Sequence, residues 1–393
     1  MIIEPKVREY ICTTAHPKGC EESVRRQIAY VKSQKKMENG PKRVLIIGAS
    51  TGYGLASRIT ASFGCGAATL GIMFERPSNG KRTATAGWYN TAAFEKFAKE
   101  EGLYAKSLNG DAFSAEMKEK VIETIKNDWG KADMVIYSLA APRRTDKDGT
   151  VYTSSLKTTG DAFTEKSLDL KNNTVGEKTI EPATEEELKG TIKVMGGEDW
   201  EDWIHALTEA DVLTEDAVTI AYSYIGPELT YPIYYNGTIG NAKKHLTESA
   251  KRIGKNYPVQ AYVSVNKGLV TQASAAIPIV PLYFTILYKV MKEQNVHEGC
   301  IEQIARLFED RLYNGSVKTD EEGMIRIDDW ELDEKVQSEV RKAWKEVTTE
   351  NMKQYCDIDG YWDDFYHMFG FNYDNVDYQE DVDPMVEIPS LQA

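Results

Sequence analysis

Along the chain, short runs of consecutive apolar residues alternate with longer stretches in which apolar positions recur every three to four residues. The runs KRVLIIGAS (42–50), AATLGIMFE (67–75), LYAKSL (103–108), DMVIYSLAAP (133–142), AVTIAYSYIG (217–226) and VQAYVSVN (259–266) are bounded by glycine, proline or charge. Uninterrupted apolar runs of this length predict strands buried on both faces, as in a parallel sheet. Between them lie helical patterns. In SAEMKEKVIETIKNDWG (114–130), Met117, Val121, Ile122 and Ile125 share one face, Ser114 is placed to cap the start and Gly130 to end the helix. Alternation of this kind predicts an α/β fold, a doubly wound parallel sheet with helices on both faces and ligands at the carboxyl ends of the strands.

Two regions break the alternation. Residues 150–183 are polar, threonine-rich and punctuated by Asn172, Asn173 and glycine, which predicts a β-hairpin insertion. Residues 184–214 carry helical stretches around GGEDWEDW and form a candidate helical lid over the strand ends, surface decoration being the default for such insertions. The most apolar segment, AAIPIVPLYFTILYKVM (275–291), holds two prolines and falls short of the ~20 residues needed to cross a bilayer. It reads as a buried helix with a proline-marked start. An acidic, helix-poor tail begins near residue 371, and no repeat or low-complexity linker divides the chain. One elaborated domain is expected over 1–393, its dinucleotide-binding core spanning about 42–300.

Composition narrows the function. The 61 acidic and 47 basic residues give a net charge of −14, which disfavours nonspecific binding to nucleic acid or an anionic membrane. The five cysteines are scattered without a C-x-x-C, so neither a disulfide framework nor a metal site is suggested, and a reducing cytoplasm fits best. The N-terminal residues mix charges into their apolar positions and lack the apolar core of a signal peptide.

After the first apolar run, RVLIIGASTGYGLASRIT spaces its glycines as Gly48-x3-Gly52-x-Gly54 and passes into a helix. Glycines there allow a tight turn and close approach to a pyrophosphate, whose charge the free amides and dipole of the helix N-terminus favour. Gly48, Ala49, Ser50, Thr51, Gly52, Tyr53 and Gly54 are therefore candidate cofactor residues. The spacing resembles the short-chain dehydrogenase/reductase type. Phe74 and Glu75 close the second run, where a carboxylate accepts hydrogen bonds from a ribose diol and repels a 2′-phosphate, favouring NADH, with Arg76 next door as the competing feature. Asp111 and Ala112 follow the third run as the adenine-contacting aspartate of short-chain reductases does, and Leu139 and Ala140 stand in the SLAAP that ends the fourth, where small residues let a cofactor pass.

IYYNGTIGNAKK (233–244) pairs two tyrosines with two lysines. A tyrosine hydroxyl can stabilise charge left on a substrate oxygen by hydride transfer and supply a proton, while a lysine ammonium holds ribose and lowers the tyrosine pKa. A nine-residue offset on one continuous helix turns through about 900° and sets the two side chains on opposite faces. Gly237 and Gly240 permit a bend that places tyrosine on an entering loop and lysine on the following helix. On residue chemistry alone, Tyr234 and Tyr235 both remain open, and so does a packing role for both.

Taken together, GASTGYG, SLAAPR, AYSYIGPELTYPIYYNGTIGNAKK and SVNKGLVTQASAAIPIVPLY resemble the trans-2-enoyl-CoA reductases and the related V-type enoyl-acyl-carrier-protein reductases over essentially the whole chain. That family's Tyr-x8-Lys, with a second lysine next and a further tyrosine ten residues upstream, fits Tyr234, Lys243, Lys244 and Tyr224, whereas Tyr235 finds His245 and Ile225 at the outer positions. The resemblance implies Tyr234 and Lys243 as catalytic residues and Tyr224 as a substrate contact. It also implies Lys243, Lys244, Leu269, Val270 and Thr271 as cofactor contacts. The implied activity is NADH-dependent reduction of the C2=C3 bond of a short trans-2-enoyl-CoA such as crotonyl-CoA, chemistry that requires no flavin or metal; a monomer is expected because the extra segments can cover the faces by which smaller short-chain reductases assemble. Alternatives are an enoyl-acyl-carrier-protein reductase, a carbonyl-reducing short-chain dehydrogenase, whose Ser/Tyr-x3-Lys set is not found, and an NAD(H)-sensing binding protein.

Overall fold

Val44 to Ile47 are inaccessible to solvent, because alternate side chains of this strand are covered from opposite sides. Leu45 and Ile47 join one apolar cluster, Val44 and Ile46 another. The strand, β1 (Arg43–Ile47), pairs in parallel with β2 (Ala68–Met73) and β4 (Ala132–Tyr137). With β3 (Ala105–Asn109), β5 (Leu213–Ser223), β6 (Val259–Val265) and β7 (Ile325–Arg326) it forms a seven-stranded sheet of order β7-β6-β5-β4-β1-β2-β3. Every pairing in that sheet is parallel. The order reverses between β1 and β4, the point at which a doubly wound sheet opens a crevice for a dinucleotide. This computed structural model describes residues 1–8, 11–271, 274 and 277–391.

Helices cover both faces. On one, α1 (Pro17–Ser33) and α2 (Gly52–Ile59) pack Val24, Val31, Leu55 and Ile59 against Val44 and Ile46, beside α3 (Ala86–Glu100). On the other, α4 (Ala115–Asp128) contributes Met117, Val121 and Ile125. Its start is capped as the sequence predicts, Ser114 Oγ accepting from the Met117 amide at 3.1 Å, and its end turns through Gly130 at φ +75°.

The crossover from β4 to β5 is long. It contains an antiparallel hairpin (Phe163–Asp169 with Thr174–Ile180), then α5 (Glu185–Met195) and α6 (Glu198–Glu209). Here the structure corrects the expected lid. Trp200, Trp203, Ile204 and Leu207 of α6 are fully buried against the sheet with α4 and α7 (Thr238–Asn256), so this acidic, tryptophan-bearing helix is the crossover helix itself. Asp199, at its first turn, is buried on Lys118 Nζ at 2.8 Å, which explains how an acidic repeat enters a core.

A third apolar cluster gathers α8 (Val280–Glu293), α10 (Glu334–Glu346) and α11 (Ile358–His367); α9 (Cys300–Arg306) lies on the α1/α2 face instead. α8 is buried on nearly every side, Pro281 sitting in its first turn where a missing amide costs nothing. Ala275 and Ala276, the first two residues of the apolar segment 275–291, lie outside the described residues. The acidic tail is tied down: Pro384 O accepts from Tyr89 Oη at 2.8 Å, Val386 O from Trp88 Nε1 at 2.7 Å, and Ser390 Oγ meets Glu95 at 2.7 Å. Among the described residues no helix is long and apolar enough to cross a membrane.

The placement of α6 makes a prediction. Trp203→Ala will destabilise the protein by about 3–5 kcal/mol, the usual cost of emptying a buried aromatic site, read as a lowered denaturant midpoint. A lid residue would instead leave the midpoint in place and alter substrate KM.

Candidate active site

Three glycines build the turn between β1 and α2, each for its own reason. Gly48 has φ +85°, and a Cβ there would sit 2.3 Å from the Ser138 carbonyl oxygen at the end of β4. Gly52 has φ +54° and nothing within 4 Å of its missing side chain, so its backbone faces open space. A Cβ on Gly54 would fall 1.8 Å from the Gly48 carbonyl oxygen, so only glycine lets α2 lie this close to the strand. Thr51 is the N-cap and makes no side-chain cap bond, leaving the first amides of α2 without one. The Gly48 and Ala49 amides both donate to Ile72 O, which locks the turn to β2.

The other expected cofactor residues also lie at carboxyl ends of strands. Ser50 Oγ donates to Glu75 Oε1 at 2.6 Å, and Asn109 grips the Glu75 backbone through its amide at 2.8 Å and its carbonyl at 2.9 Å. Glu75 is thus held in place, which answers the competition from exposed Arg76. Phe74 is 79% exposed, a bare aromatic face next to the carboxylate expected at the ribose. Asp111 Oδ1 accepts from the Phe113 amide at 2.9 Å next to buried Ala112, and Leu139 and exposed Ala140 follow β4. Tyr53 turns its side chain inward, its hydroxyl 2.8 Å from Lys267 O and 3.0 Å from Gln303 Oε1, so only its backbone remains at the turn.

A cavity of about 750 Å³ opens over the turn. Its lining includes Thr51, Gly52, Glu75, Leu269, Val270 and Thr271 together with residues of α11 and the segment after it. Asp111, Ala112, Leu139, Ala140, Tyr234 and Lys243 lie outside this lining. The Leu269–Thr271 loop is fixed from behind, the Val270 amide donating to Tyr288 Oη at 2.9 Å and the Thr271 amide to Ser274 Oγ at 2.8 Å.

Tyr234 sits in the turn before α7 and Lys243 on that helix, so the two are carried by different elements. The glycines act differently from the expectation. Gly237 is an extended N-cap, and Gly240 lies within an unbent first turn; a Cβ on Gly240 would stand 2.1 Å from the carbonyl oxygens of both Tyr234 and Tyr235. Their purpose is to let the tyrosine turn press onto the helix. Lys243 Nζ donates to Tyr222 O at 3.0 Å, and withdrawal from water lowers its pKa to about 8. Lys244 points elsewhere, its Nζ 4.5 Å from the centre of the Tyr235 ring, and Tyr235 in turn packs on Tyr231.

Tyr234 is buried and meets Tyr224 edge to face, ring centres 4.9 Å apart. Burial, and then the charge of Glu331, raise the Tyr234 pKa. This reverses the expected lysine effect: in the free protein Tyr234 is held as a neutral donor. Sequence reasoning missed Glu331, which accepts from Tyr224 Oη at 3.0 Å, Tyr283 Oη at 2.7 Å and the Gly268 amide at 2.7 Å. Within the acidic run IDDWELDE it carries no local signal, and only the fold brings it to Tyr224, 107 positions away. Buried Lys267 was missed too; a lysine directly after an apolar strand was the available hint.

A sheet that carries an open helix N-terminus over its first strand and a protonated tyrosine beyond its fifth suits hydride transfer followed by protonation. The class of protein so defined is a nicotinamide-dinucleotide reductase. Family models described as the NAD(P)H binding domain and the catalytic region of trans-2-enoyl-CoA reductase match residues 2–80 and 82–313. The chain is 57% identical to the trans-2-enoyl-CoA reductase [NADH] of Ruminiclostridium cellulolyticum over all of both chains. It is 54% identical to an enoyl-[acyl-carrier-protein] reductase [NADH] of Coxiella burnetii, over all of this chain and 98% of that one. The crystal structure of Treponema denticola trans-2-enoyl-CoA reductase in complex with NAD superposes with a TM-score of 0.94 at 50% identity, covering 99% of this chain and all of that one. This chain belongs to the trans-2-enoyl-CoA reductase family.

A third model, described as the enoyl reductase FAD binding domain, matches residues 319–382. Those residues do not fit a flavin. Val336, Val340, Trp344 and Phe365 are consumed in the apolar core, and the segment offers the cavity only Asp364, His367, Met368, Phe369 and Tyr373. No strand–glycine–helix turn lies among its described residues, so no step of the reduction is assigned to FAD.

Gly54→Ala will weaken NADH binding by at least about tenfold, because the added carbon forces α2 off β1 and moves the amides that receive the pyrophosphate. Fluorescence titration with NADH checks this; unchanged affinity would place the phosphates elsewhere.

Proposed function

We propose that this protein reduces the C2=C3 double bond of a short-chain trans-2-enoyl-CoA, with NADH as hydride donor. The observation that carries the reading is the edge-to-face pair of buried Tyr234 and partly buried Tyr224, both hydroxyls kept protonated, with Lys243 on the following helix resting on the backbone oxygen of Tyr222 near the carboxyl end of β5. Bound NADH supplies a hydride to the β-carbon of the substrate, which leaves negative charge on the thioester oxygen. Tyr234 donates a hydrogen bond to that oxygen, and a preorganised donor in a dry site is worth a few kcal/mol of transition-state stabilisation. The same hydroxyl assists protonation at the α-carbon. Lys243, charged below its lowered pKa, holds the nicotinamide ribose. Tyr224 already donates its hydroxyl hydrogen to Glu331, so it orients the substrate by fixing the Tyr234 ring rather than by donating to the carbonyl. Glu75, with Phe74 next to it, receives the adenosine ribose, Asp111 and Ala112 meet the adenine, and Leu269 to Thr271 border the nicotinamide.

A second reading, reduction of an enoyl-acyl-carrier-protein, is favoured by the 54% identical relative that bears that name. NADH oxidation followed in parallel with crotonyl-CoA, a long-chain enoyl carrier protein and a ketone separates these readings from carbonyl reduction. Crotonyl-CoA is expected to turn over fastest, and NADH binding without turnover on any of them would leave only a sensor. The proposal includes a cytoplasmic monomer, tested by light scattering of the purified chain.

Tyr234→Phe will lower kcat by on the order of 10²-fold with NADH affinity nearly intact, as expected for loss of one transition-state donor; near-normal turnover would remove Tyr234 from the chemistry. Because a lysine holds ribose only while charged, kcat/KM for NADH should fall as pH rises through about 8, the folded pKa of Lys243. Lys243→Met should abolish that limb, and a limb that survives belongs to another group.

A further inference from the structure

Glu331 is wholly buried and accepts three hydrogen bonds from three separate elements. Its Oε1 receives Tyr224 Oη (3.0 Å), from the segment after β5, and Tyr283 Oη (2.7 Å), from α8. Its Oε2 receives the amide of Gly268 (2.7 Å), the residue that opens the loop continuing to Thr271. Gln337 closes the arrangement: its Nε2 donates to Tyr283 Oη at 3.2 Å, leaving that hydroxyl to donate onward, and to the backbone oxygen of Glu331 at 2.7 Å. Gly268 has no room for a side chain, since a Cβ would stand 2.5 Å from the Phe284 ring and 3.0 Å from Tyr224 Oη.

An ionised carboxylate accepts at both oxygens from all three donors with no hydrogen of its own to place among them. A glutamine would turn an NH2 group toward one of them and leave a buried donor facing a donor, and such mismatches are costly away from water. The groups that face Glu331 are Tyr224, Tyr283, Lys267 and Asp328, with Tyr234 and Tyr53 within reach of its field. Lys267 is the cation among them, its Nζ on Gly268 O at 3.0 Å and 4.6 Å from the centre of the Tyr288 ring.

We infer that Glu331 is a positioning residue for the reduction: held in place by the Gly268 amide, it accepts from the Tyr224 hydroxyl and so fixes Tyr224 against Tyr234. The inference rests on the assignment of Tyr234 made above. Burial raises the pKa of Glu331 while Lys267 and the Gly268 amide oppose the rise, and its charge is among the causes that keep Tyr224 and Tyr234 protonated. A purely structural cross-link would hold the fold together equally well, but would have no reason to act through one tyrosine hydroxyl.

That difference sets the test, a double-mutant cycle in the full-length protein with whichever thioester the wild type reduces. Glu331→Gln should lower kcat by about tenfold or more, with the NADH dissociation constant within about threefold of wild type. In a Tyr224→Phe background, which has no hydroxyl to orient, the same change should cost less than about threefold. Glu331→Asp, which keeps the charge, should recover part of what Gln loses. Unchanged kcat in Glu331→Gln, or losses that simply multiply in the double variant, would overturn the inference. If Glu331→Gln does not fold, as a thermal melt will show, Glu331→Asp takes its place in the cycle: a loss that shrinks in the Tyr224→Phe background supports the inference, and an unchanged or simply multiplying one overturns it. A wild type that reduces no enoyl thioester would instead overturn the functional reading on which the inference stands.

Discussion

The fit of Gly54 against the Gly48 carbonyl oxygen is the contact on which this site depends. It sets α2 directly on the end of β1, and the rest of the site is placed relative to that helix. Ser50, in the turn, holds Glu75. Tyr53 reaches under the opposite loop to Lys267 O and Gln303. One turn on, Ser57 Oγ lies 2.6 Å from Tyr222 Oη, and Tyr222 presents its backbone oxygen to Lys243. A single eight-residue helix thus connects the expected ribose site, the nicotinamide loop and the lysine, so a shift of its axis would disturb all three together.

Much of the architecture was legible because it is written in local period. Six of the seven strands of the sheet stand where apolar runs occur, and the glycine turn follows the first of them. The two-residue β7 was not legible, because Ile325–Arg326 is too short to form a run and pairs only by lying beside β6. The lid assignment failed for a related reason. The insertion around Trp200 and Trp203 breaks the strand–helix alternation and so predicts a lid or surface decoration, yet Glu201 is taken by Arg252 on α7 at 2.6 Å and Asp199 by Lys118 on α4, so the charges are neutralised from neighbouring helices that the local sequence does not contain.

The tyrosine register shows a different limit. Helix geometry established that Tyr234 and Lys243 could not share one regular helix, and the structure places them on a turn and a helix. What the sequence could not supply was the reason for Gly237 and Gly240, which is a distance between backbones rather than a preferred dihedral. The choice between Tyr234 and Tyr235 came from family resemblance. The structure adds a physical contrast: Tyr234 is buried against Tyr224, whereas Tyr235 is partly exposed under the Lys244 ammonium.

Electrostatics then explains why the residue beneath the tyrosines escaped notice. Desolvation is the leading cause of every shift here: it lowers Lys243 and Lys267 to about 8 and raises Glu331, Tyr224 and Tyr234. In such surroundings a tyrosine keeps its proton unless a strong opposite charge is brought close, and the charge brought close is negative. Glu331 therefore works in the same direction as burial, and a lysine that deprotonated Tyr234 would have to overcome both. The consequence is a site that waits with its proton in place and its cations uncommitted to carboxylates, Lys243 resting on a backbone oxygen. On the proposal that Tyr234 is the donor, charge created on a substrate oxygen would find a proton already in place, so little reorganisation is left for the reaction itself.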